Sequence, residues 1–192
     1  MDYKSSSKKL DKVLVEHDVQ LQLLAYLAAI CRWPEPETLF GAKHLVPASV
    51  FYVNLRGQFE SGGTRTEALA DAIGARNLAY RHTGRFDAGA LDKLDSVKAA
   101  DQFNYRLNKH GGITANSAEA LTRTEFEKLL DRVETQLREM GERIFSGAAQ
   151  VDPYRKGKQT PCDYCDYQAA CRIDKWTHPD RVLRTKTVDE TD

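Results

Sequence analysis

Met1-Asp2-Tyr3-Lys4-Ser5-Ser6 opens the chain as a short strand-like segment with a carboxylate and an amine two residues apart. Residues at i and i+2 of a strand project from the same face, so we expect Asp2 and Lys4 to point into one site. A carboxylate beside an ammonium can hold a metal ion and orient a water molecule, which is a minimal set for phosphodiester hydrolysis. The alternative is a pair of ordinary surface charges, because the pattern Asp-x-Lys is short.

Length and charge narrow the class of protein. The 192 residues suffice for one domain with a proper core. The 28 basic and 28 acidic residues balance, so any nucleic-acid contact must come from local patches. The sequence has no apolar run of membrane-spanning length and no signal-peptide pattern, which predicts a cytoplasmic protein without membrane contact. Because the chain starts within a residue of the predicted strand, we also expect an N-terminal truncation.

An early apolar run has helical spacing and comprises Leu21, Leu24, Leu27 and Ala28. Asp18 is the predicted N-cap of this helix, and Pro34 is expected to end it. Gln22 and Tyr26 are four residues apart and therefore lie on one face of the helix. This pair is a candidate part of the site, and the alternative is a polar edge of an amphipathic helix.

Further along, residues 48–55 are predicted to form a buried strand, and a helical pattern follows through Leu69 and Leu78. The strongest helix signal starts at Thr122 and Glu125, which form a T-x-x-E capping box. An apolar stripe then recurs at three- and four-residue intervals: Phe126, Leu129, Leu130, Val133, Leu137, Met140 and Ile144. Gly147 stands where a helix stop is expected, so we predict one long core helix.

Four cysteines are present, and Cys162, Cys165 and Cys171 follow one another in the pattern C-x2-C-x5-C. This spacing favours metal ligation over disulfides or inert thiols. Zinc and a four-iron cluster both require four ligands, so the metal stays open at this point. Cys31 lies in an apolar segment and is interpreted as a core thiol, which places the fourth ligand upstream of the chain.

The tail is locally basic although the whole chain is neutral. Residues 153–186 contain eight Lys and Arg residues against four Asp residues, a surplus that suits contact with a phosphate backbone. The alternative is a solvated tail whose counter-charges lie elsewhere.

Three motifs together carry a resemblance: Asp2-Tyr3-Lys4-Ser5-Ser6, Gln22-Leu23-Leu24-Ala25-Tyr26, and the C-x2-C-x5-C tail. They resemble the PD-(D/E)XK nucleases of the RecB type and, more narrowly, the AddB-type nuclease domain of the bacterial AddAB helicase–exonucleases. The stretches 103–109 and 139–154 strengthen the similarity, which covers essentially the whole chain. The resemblance implies an α/β fold with a restriction-endonuclease-like core, a mixed sheet flanked by helices, and a C-terminal iron–sulfur segment. We expect residues 1–150 to form the nuclease core, without its first strand and first Asp, and 151–192 the cysteine-rich basic tail.

The resemblance also implies the roles of individual residues. Asp2 is expected to bind Mg²⁺ together with the backbone carbonyl of Tyr3, and Lys4 to position or activate the attacking water. Gln22 and Tyr26 correspond to the Q-x3-Y pair beside the catalytic site. The three tail cysteines would supply three of four ligands to a [4Fe–4S] cluster with a structural role: Cys162, Cys165 and Cys171. The expected partners are DNA and an AddA-like helicase–nuclease subunit, in double-strand break repair and recombination.

Three alternatives remain from the sequence. One is a CRISPR-associated type of iron–sulfur exonuclease with the same cysteine spacing. A second is a non-catalytic DNA-binding or subunit-docking module, stapled by iron–sulfur or zinc, whose nuclease motif is vestigial. A third is a zinc-ribbon-like interaction domain. The missing carboxylate and fourth cysteine lead us to expect weak or no activity from this chain alone.

Overall fold

The structure, a computed structural model, describes residues 8–53, 55, 64–114, 116–174 and 176–185. The chain divides into two compact units, of which the first comprises Met1–Leu10 and Gln22–Val133 and the second Asp11–Leu21 and Glu134–Asp192. The helices are α1 (Lys12–Glu16), α2 (Gln22–Cys31), α3 (Pro36–Phe40), α4 (Arg65–Leu69), α5 (Ala72–Ala79), α6 (Leu91–Leu94), α7 (Arg123–Phe145) and α8 (Gln168–Cys171). The strands are β1 (Ser49–Tyr52), β2 (Thr83–Asp87), β3 (Ala120–Leu121), β4 (Tyr154–Arg155) and β5 (Arg181–Val182).

The first unit contains a mixed three-stranded sheet in the order β1-β2-β3. Strand β1 pairs antiparallel with β2, with Val50 opposite Arg85, and β2 pairs parallel with β3, with Phe86 opposite Ala120. Gly84 allows the close approach of β1, because a Cβ atom there would lie 1.9 Å from the carbonyl oxygen of Val50. Helix α2 packs against β1. The predicted mixed sheet with flanking helices is confirmed.

The core of this unit forms around Phe86, Leu91 and Tyr105, all of them buried. Phe51 and Phe103 pack against this cluster from β1 and from the irregular segment that follows α6. Residues 48–55 were expected to form a buried strand, and that burial is wrong in degree: all four residues of β1 are only half-buried. Strand β1 pairs only with β2 in the described sheet, so it lies at the edge.

Helix α7 begins and ends as the sequence predicts. The backbone N–H of Thr122 donates to the Glu125 carboxylate at 2.7 Å, and the Glu125 N–H donates to Thr122 Oγ1 at 3.3 Å, which completes the capping box. Gly147 has a φ of +81°, and two bonds close a Schellman motif: Gly147 N–H to the Ile144 carbonyl and Ala148 N–H to the Arg143 carbonyl, both at 3.0 Å. The long helix is confirmed.

The predicted burial of α7 is correct only in its first half. Phe126, Leu130 and Val133 are buried, whereas Leu137 and Ile144 are 41% and 76% exposed. A regular apolar stripe shows which face can be buried, but an opposing surface decides how far the burial extends. The prediction of a core helix along the whole stripe is therefore wrong for its C-terminal half.

Two local expectations near the N-terminus are corrected. Helix α2 begins at Gln22, and Asp18 is not its N-cap but has a φ of 59° in the turn that precedes it. Asp11 is the cap in this region, since its carboxylate accepts from the Leu14 N–H at 3.2 Å and starts the short helix α1. Within the described ranges, no helix is long and apolar enough to cross a lipid bilayer.

Candidate functional site

The predicted catalytic strand lies outside the described residues, so the positions of Asp2, Tyr3 and Lys4 stay predictions. The described chain starts beside the sheet, because the hydroxyl of Thr83 donates to the carbonyl oxygen of Lys8 at 3.2 Å. Thr83 is the first residue of β2. The backbone that follows the Asp-x-Lys motif is thus held at the edge where β2 begins.

Gln22 and Tyr26 are brought together on the exposed side of α2. The side-chain amide of Gln22 donates to the Tyr26 hydroxyl at 2.8 Å. On the other side of the helix, Leu24 and Ala28 are buried, which fixes the rotation of α2 about its axis. Tyr26 is 48% exposed, so the pair is accessible to a large ligand. Since Tyr26 accepts this bond through its oxygen, its own proton remains available to a further acceptor.

Asp87 is a buried carboxylate that the sequence analysis did not single out, and it bears on the missing metal ligand. Its Oδ2 accepts from Arg123 Nε at 2.8 Å and from Arg123 Nη2 at 2.5 Å, while its Oδ1 accepts from the Gly89 N–H at 2.9 Å. Both oxygens therefore hold the end of β2 to the start of α7. With its oxygens engaged in this way, Asp87 is a structural carboxylate rather than a second metal ligand.

The signal for Asp87 in the sequence was an acidic residue directly after the apolar residue Phe86, followed by a glycine. That pattern is typical of an Asx turn, in which the carboxylate bonds to a backbone N–H two residues on. The ion pair with Arg123 joins residues 36 positions apart, and no local pattern predicts it.

The three tail cysteines lie on one short, well-capped segment of the second unit. Cys162 belongs to the 3₁₀ helix Pro161–Tyr164, Cys165 follows it directly, and Cys171 ends α8. The Thr160 N–H donates to the Asp163 carboxylate at 3.2 Å as part of a capping box, and the Gln168 side chain donates to the Cys162 carbonyl. All three cysteines are free, with Cys162 half-buried and the other two exposed.

The donors suit a metal in kind but are not assembled. Thiols are the ligands that zinc and iron–sulfur clusters use. Over the described ranges, no group of three or more His, Cys, Asp or Glu side chains is arranged to hold a metal ion. Cys31 lies in the first unit, where burial raises the pKa of its thiol and the nearby Arg32 only partly opposes this shift. A raised pKa favours the neutral thiol, as in a packing residue.

Comparison with known proteins gives consistent matches. The sequence profile of the PD-(D/E)XK nuclease superfamily matches residues 1–172. A protein of Moorella thermoacetica is 33% identical over 178 residues, which cover 91% of this chain and 15% of that protein. Proteins of Desulforamulus reducens and Alkaliphilus metalliredigens are each 28% identical, over 91% and 97% of this chain and 15% and 16% of their own length. All three carry the name of an ATP-dependent helicase/deoxyribonuclease subunit of the B type. The chain thus spans about 15% of the length of these relatives.

Proposed function

This chain belongs to the PD-(D/E)XK nuclease superfamily, and from this premise we propose that it hydrolyses DNA phosphodiester bonds as the nuclease domain of a helicase–nuclease. The observation that carries the proposal is the profile match over residues 1–172, which includes the Asp-x-Lys motif, the Gln22–Tyr26 pair and the three tail cysteines. The names of the relatives support DNA as the substrate. Its place would be an exonuclease step of double-strand break repair and recombination in the cytoplasm.

The catalytic roles follow from the chemistry of the side chains. Asp2 and the backbone carbonyl of Tyr3 offer oxygen donors, the kind that Mg²⁺ prefers. When bound, Mg²⁺ would stabilise negative charge on the reacting phosphate. Lys4 would orient the attacking water through its ammonium group.

Gln22 and Tyr26 would position the substrate strand. Their hydrogen bond fixes the Tyr26 side chain on the exposed face of α2, with the hydroxyl proton free to donate to a phosphate oxygen. The buried Leu24 holds the helix against rotation, so the pair is presented by a rigid element. Loss of the Tyr26 hydroxyl should therefore weaken productive positioning more than folding.

We further infer that residues 151–192 form an iron–sulfur segment beside a nuclease core of residues 1–150. Cys162, Cys165 and Cys171 would hold a [4Fe–4S] cluster with a fourth ligand from elsewhere. The supporting observation is the small core of the second unit, whose buried apolar residues in the described part are Val15, Leu21 and Leu183. Units with so little apolar burial commonly depend on a metal or another covalent staple. An AddA-like subunit would be the partner that completes the helicase–nuclease.

The nuclease proposal is tested by Asp2→Ala and Lys4→Ala in the complete chain. With Mg²⁺ and a labelled duplex, each change should lower the cleavage rate by on the order of 10²–10⁴-fold, while DNA binding persists. Tyr26→Phe should lower cleavage by less. Asp92→Ala is the matched control, because Asp92 is 78% exposed and pairs with Lys98 at a distance of 2.8 Å. Undiminished cleavage by Asp2→Ala would refute the assignment.

One outcome would favour a different function. If the unmodified chain binds DNA but shows no Mg²⁺-dependent cleavage, it acts as a non-catalytic DNA-binding module. The Asp2→Ala comparison then has no activity to remove, so the two results are distinguishable in one experiment.

A further inference from the structure

The second unit contains a polar groove of about 650 Å³, a size typical of ligand sites. Its wall is formed by the end of β4, by the turn that follows, by the start of the 3₁₀ helix Pro161–Tyr164 and by residues 179–182. The charged side chains that line it are Arg155, Lys158, Asp163 and Asp180. Formally the groove is neutral, so its ligand preference depends on which of these charges are already engaged.

Both carboxylates of the groove are engaged within it. Asp180 Oδ2 pairs with Arg155 Nε at 3.1 Å, and the Asp180 side chain is only 16% exposed. Asp163 Oδ2 accepts from the Thr160 N–H at 3.2 Å and so caps the 3₁₀ helix. Neither carboxylate pairs with Lys158, and no ion pair to Lys158 is present in the described part of the chain. The groove therefore presents the Lys158 ammonium as its uncompensated charge.

Lys158 is also held at a defined position by a tight turn. The Lys156 N–H donates to the Gln159 carbonyl at 2.9 Å, and the Gln159 N–H donates to the Lys156 carbonyl at 3.0 Å. Gly157 occupies the first central position with a φ of +60°, as in a type II′ turn, and Lys158 occupies the second. The neighbouring Lys156 is itself paired with Asp11. A fixed backbone reduces the entropy that a bound anion must remove.

We propose that this groove binds a backbone phosphate of DNA, with the Lys158 ammonium as the direct contact and Arg155 as a second donor. The inference rests on the proposed nuclease function, because DNA is the polyanion that this function supplies. Phosphate suits the site because charge-assisted donors converge there, whereas the lining contains no aromatic side chain on which a base could stack. The groove lies directly before Cys162, so it would hold DNA next to the cysteine segment.

The test measures how DNA affinity depends on salt in the complete chain. Fluorescence anisotropy with a labelled duplex bearing a single-stranded overhang is recorded without Mg²⁺, so that binding is read separately from cleavage. Lys158→Gln should weaken binding at low salt and lower the slope of log K against log salt by about 0.7–0.9, the value for one phosphate contact. Lys158→Arg should retain both affinity and slope.

Lys128→Gln is the matched control, since it removes one exposed lysine from the surface of α7. The proposal is overturned if Lys158→Gln and Lys128→Gln give the same slope, or if Lys158→Arg loses as much as Lys158→Gln. Inorganic phosphate at constant ionic strength separates the two sources of phosphate, because displacement of DNA by it would assign the groove to the free ion. Loss of cleavage with an unchanged Lys158 effect would refute only the nuclease function.

Discussion

At the scale of single residues, Tyr105 and Asp95 form the pair whose ionisation is most affected by the fold. The Tyr105 hydroxyl donates to Asp95 Oδ2 at 2.6 Å. Burial, and then the bond to Asp95, raises the pKa of Tyr105 to about 12. Burial also pushes the pKa of Asp95 upward, but the bonds from Tyr105 and from the Ala100 N–H outweigh it, so that pKa lies below its ordinary value. The pair therefore stabilises the first unit when Tyr105 is neutral and Asp95 is charged.

Tyr105→Phe should lower the free energy of unfolding by about 2 kcal/mol at neutral pH, because it removes a hydrogen bond to a charged group. The tyrosine pKa is raised on folding, so this contribution is present below pH 10.0 and is lost as the pH rises through about 12. The Asp95 pKa is lowered, so the contribution is also lost as the pH falls below 3.8. Urea unfolding of both proteins across this range measures the difference, and a pH-independent difference would contradict it.

At the scale of one element, α7 shows how tertiary contacts distinguish residues that the sequence pattern treats alike. The helix carries one phenylalanine near each end. Phe126 is 0% exposed, whereas Phe145 is 96% exposed. Both are apolar residues in a helix with correct start and stop signals, so only the surrounding packing separates them.

Phe126→Ala should destabilise the first unit by about 3–5 kcal/mol, because it removes a fully buried ring and leaves a cavity. Phe145→Ala is the matched control in the same helix and should change the unfolding free energy by no more than about 0.5 kcal/mol. Thermal or chemical denaturation followed by circular dichroism compares the two. Equal effects of the two substitutions would show that the burial of α7 is not divided between its halves in this way.

At the scale of the whole molecule, the two units differ in how much apolar surface they bury. Among the described residues, the first unit has a continuous core around Phe86, Leu91 and Tyr105, and the second buries Val15, Leu21 and Leu183. The proposed cluster would supply the stability that this smaller core lacks, because ligand binding to the folded state is folding free energy.

Cys165→Ser should reduce the iron bound per chain after anaerobic purification and lower the unfolding temperature of the second unit, since one of the proposed ligands is lost. Cys31→Ser is the control, because Cys31 lies in the first unit and its raised pKa favours a neutral thiol. Iron is measured by elemental analysis and the cluster by its broad visible absorption. Bound zinc without iron in the unmodified chain would rule out the [4Fe–4S] assignment.

The features that depend on neighbouring residues were predictable from the sequence alone. The pairing of Gln22 with Tyr26, the capping box of Thr122 and Glu125 and the stop at Gly147 all involve groups within one helical turn, whose geometry the helix itself imposes. The candidate residues of the catalytic strand were also chosen from a local spacing, and their arrangement stays a prediction.

Other features were decided only by the tertiary structure. Arg123 reaches Asp87 across 36 positions, Arg155 pairs with Asp180, and β1 approaches Gly84 so closely that no side chain fits. Asp18 has the right residue type for a helix cap, but the chain places the start of α2 after it and uses Asp11 for α1 instead. Such contacts join segments distant in sequence, and their free energy depends on packing that no local pattern encodes.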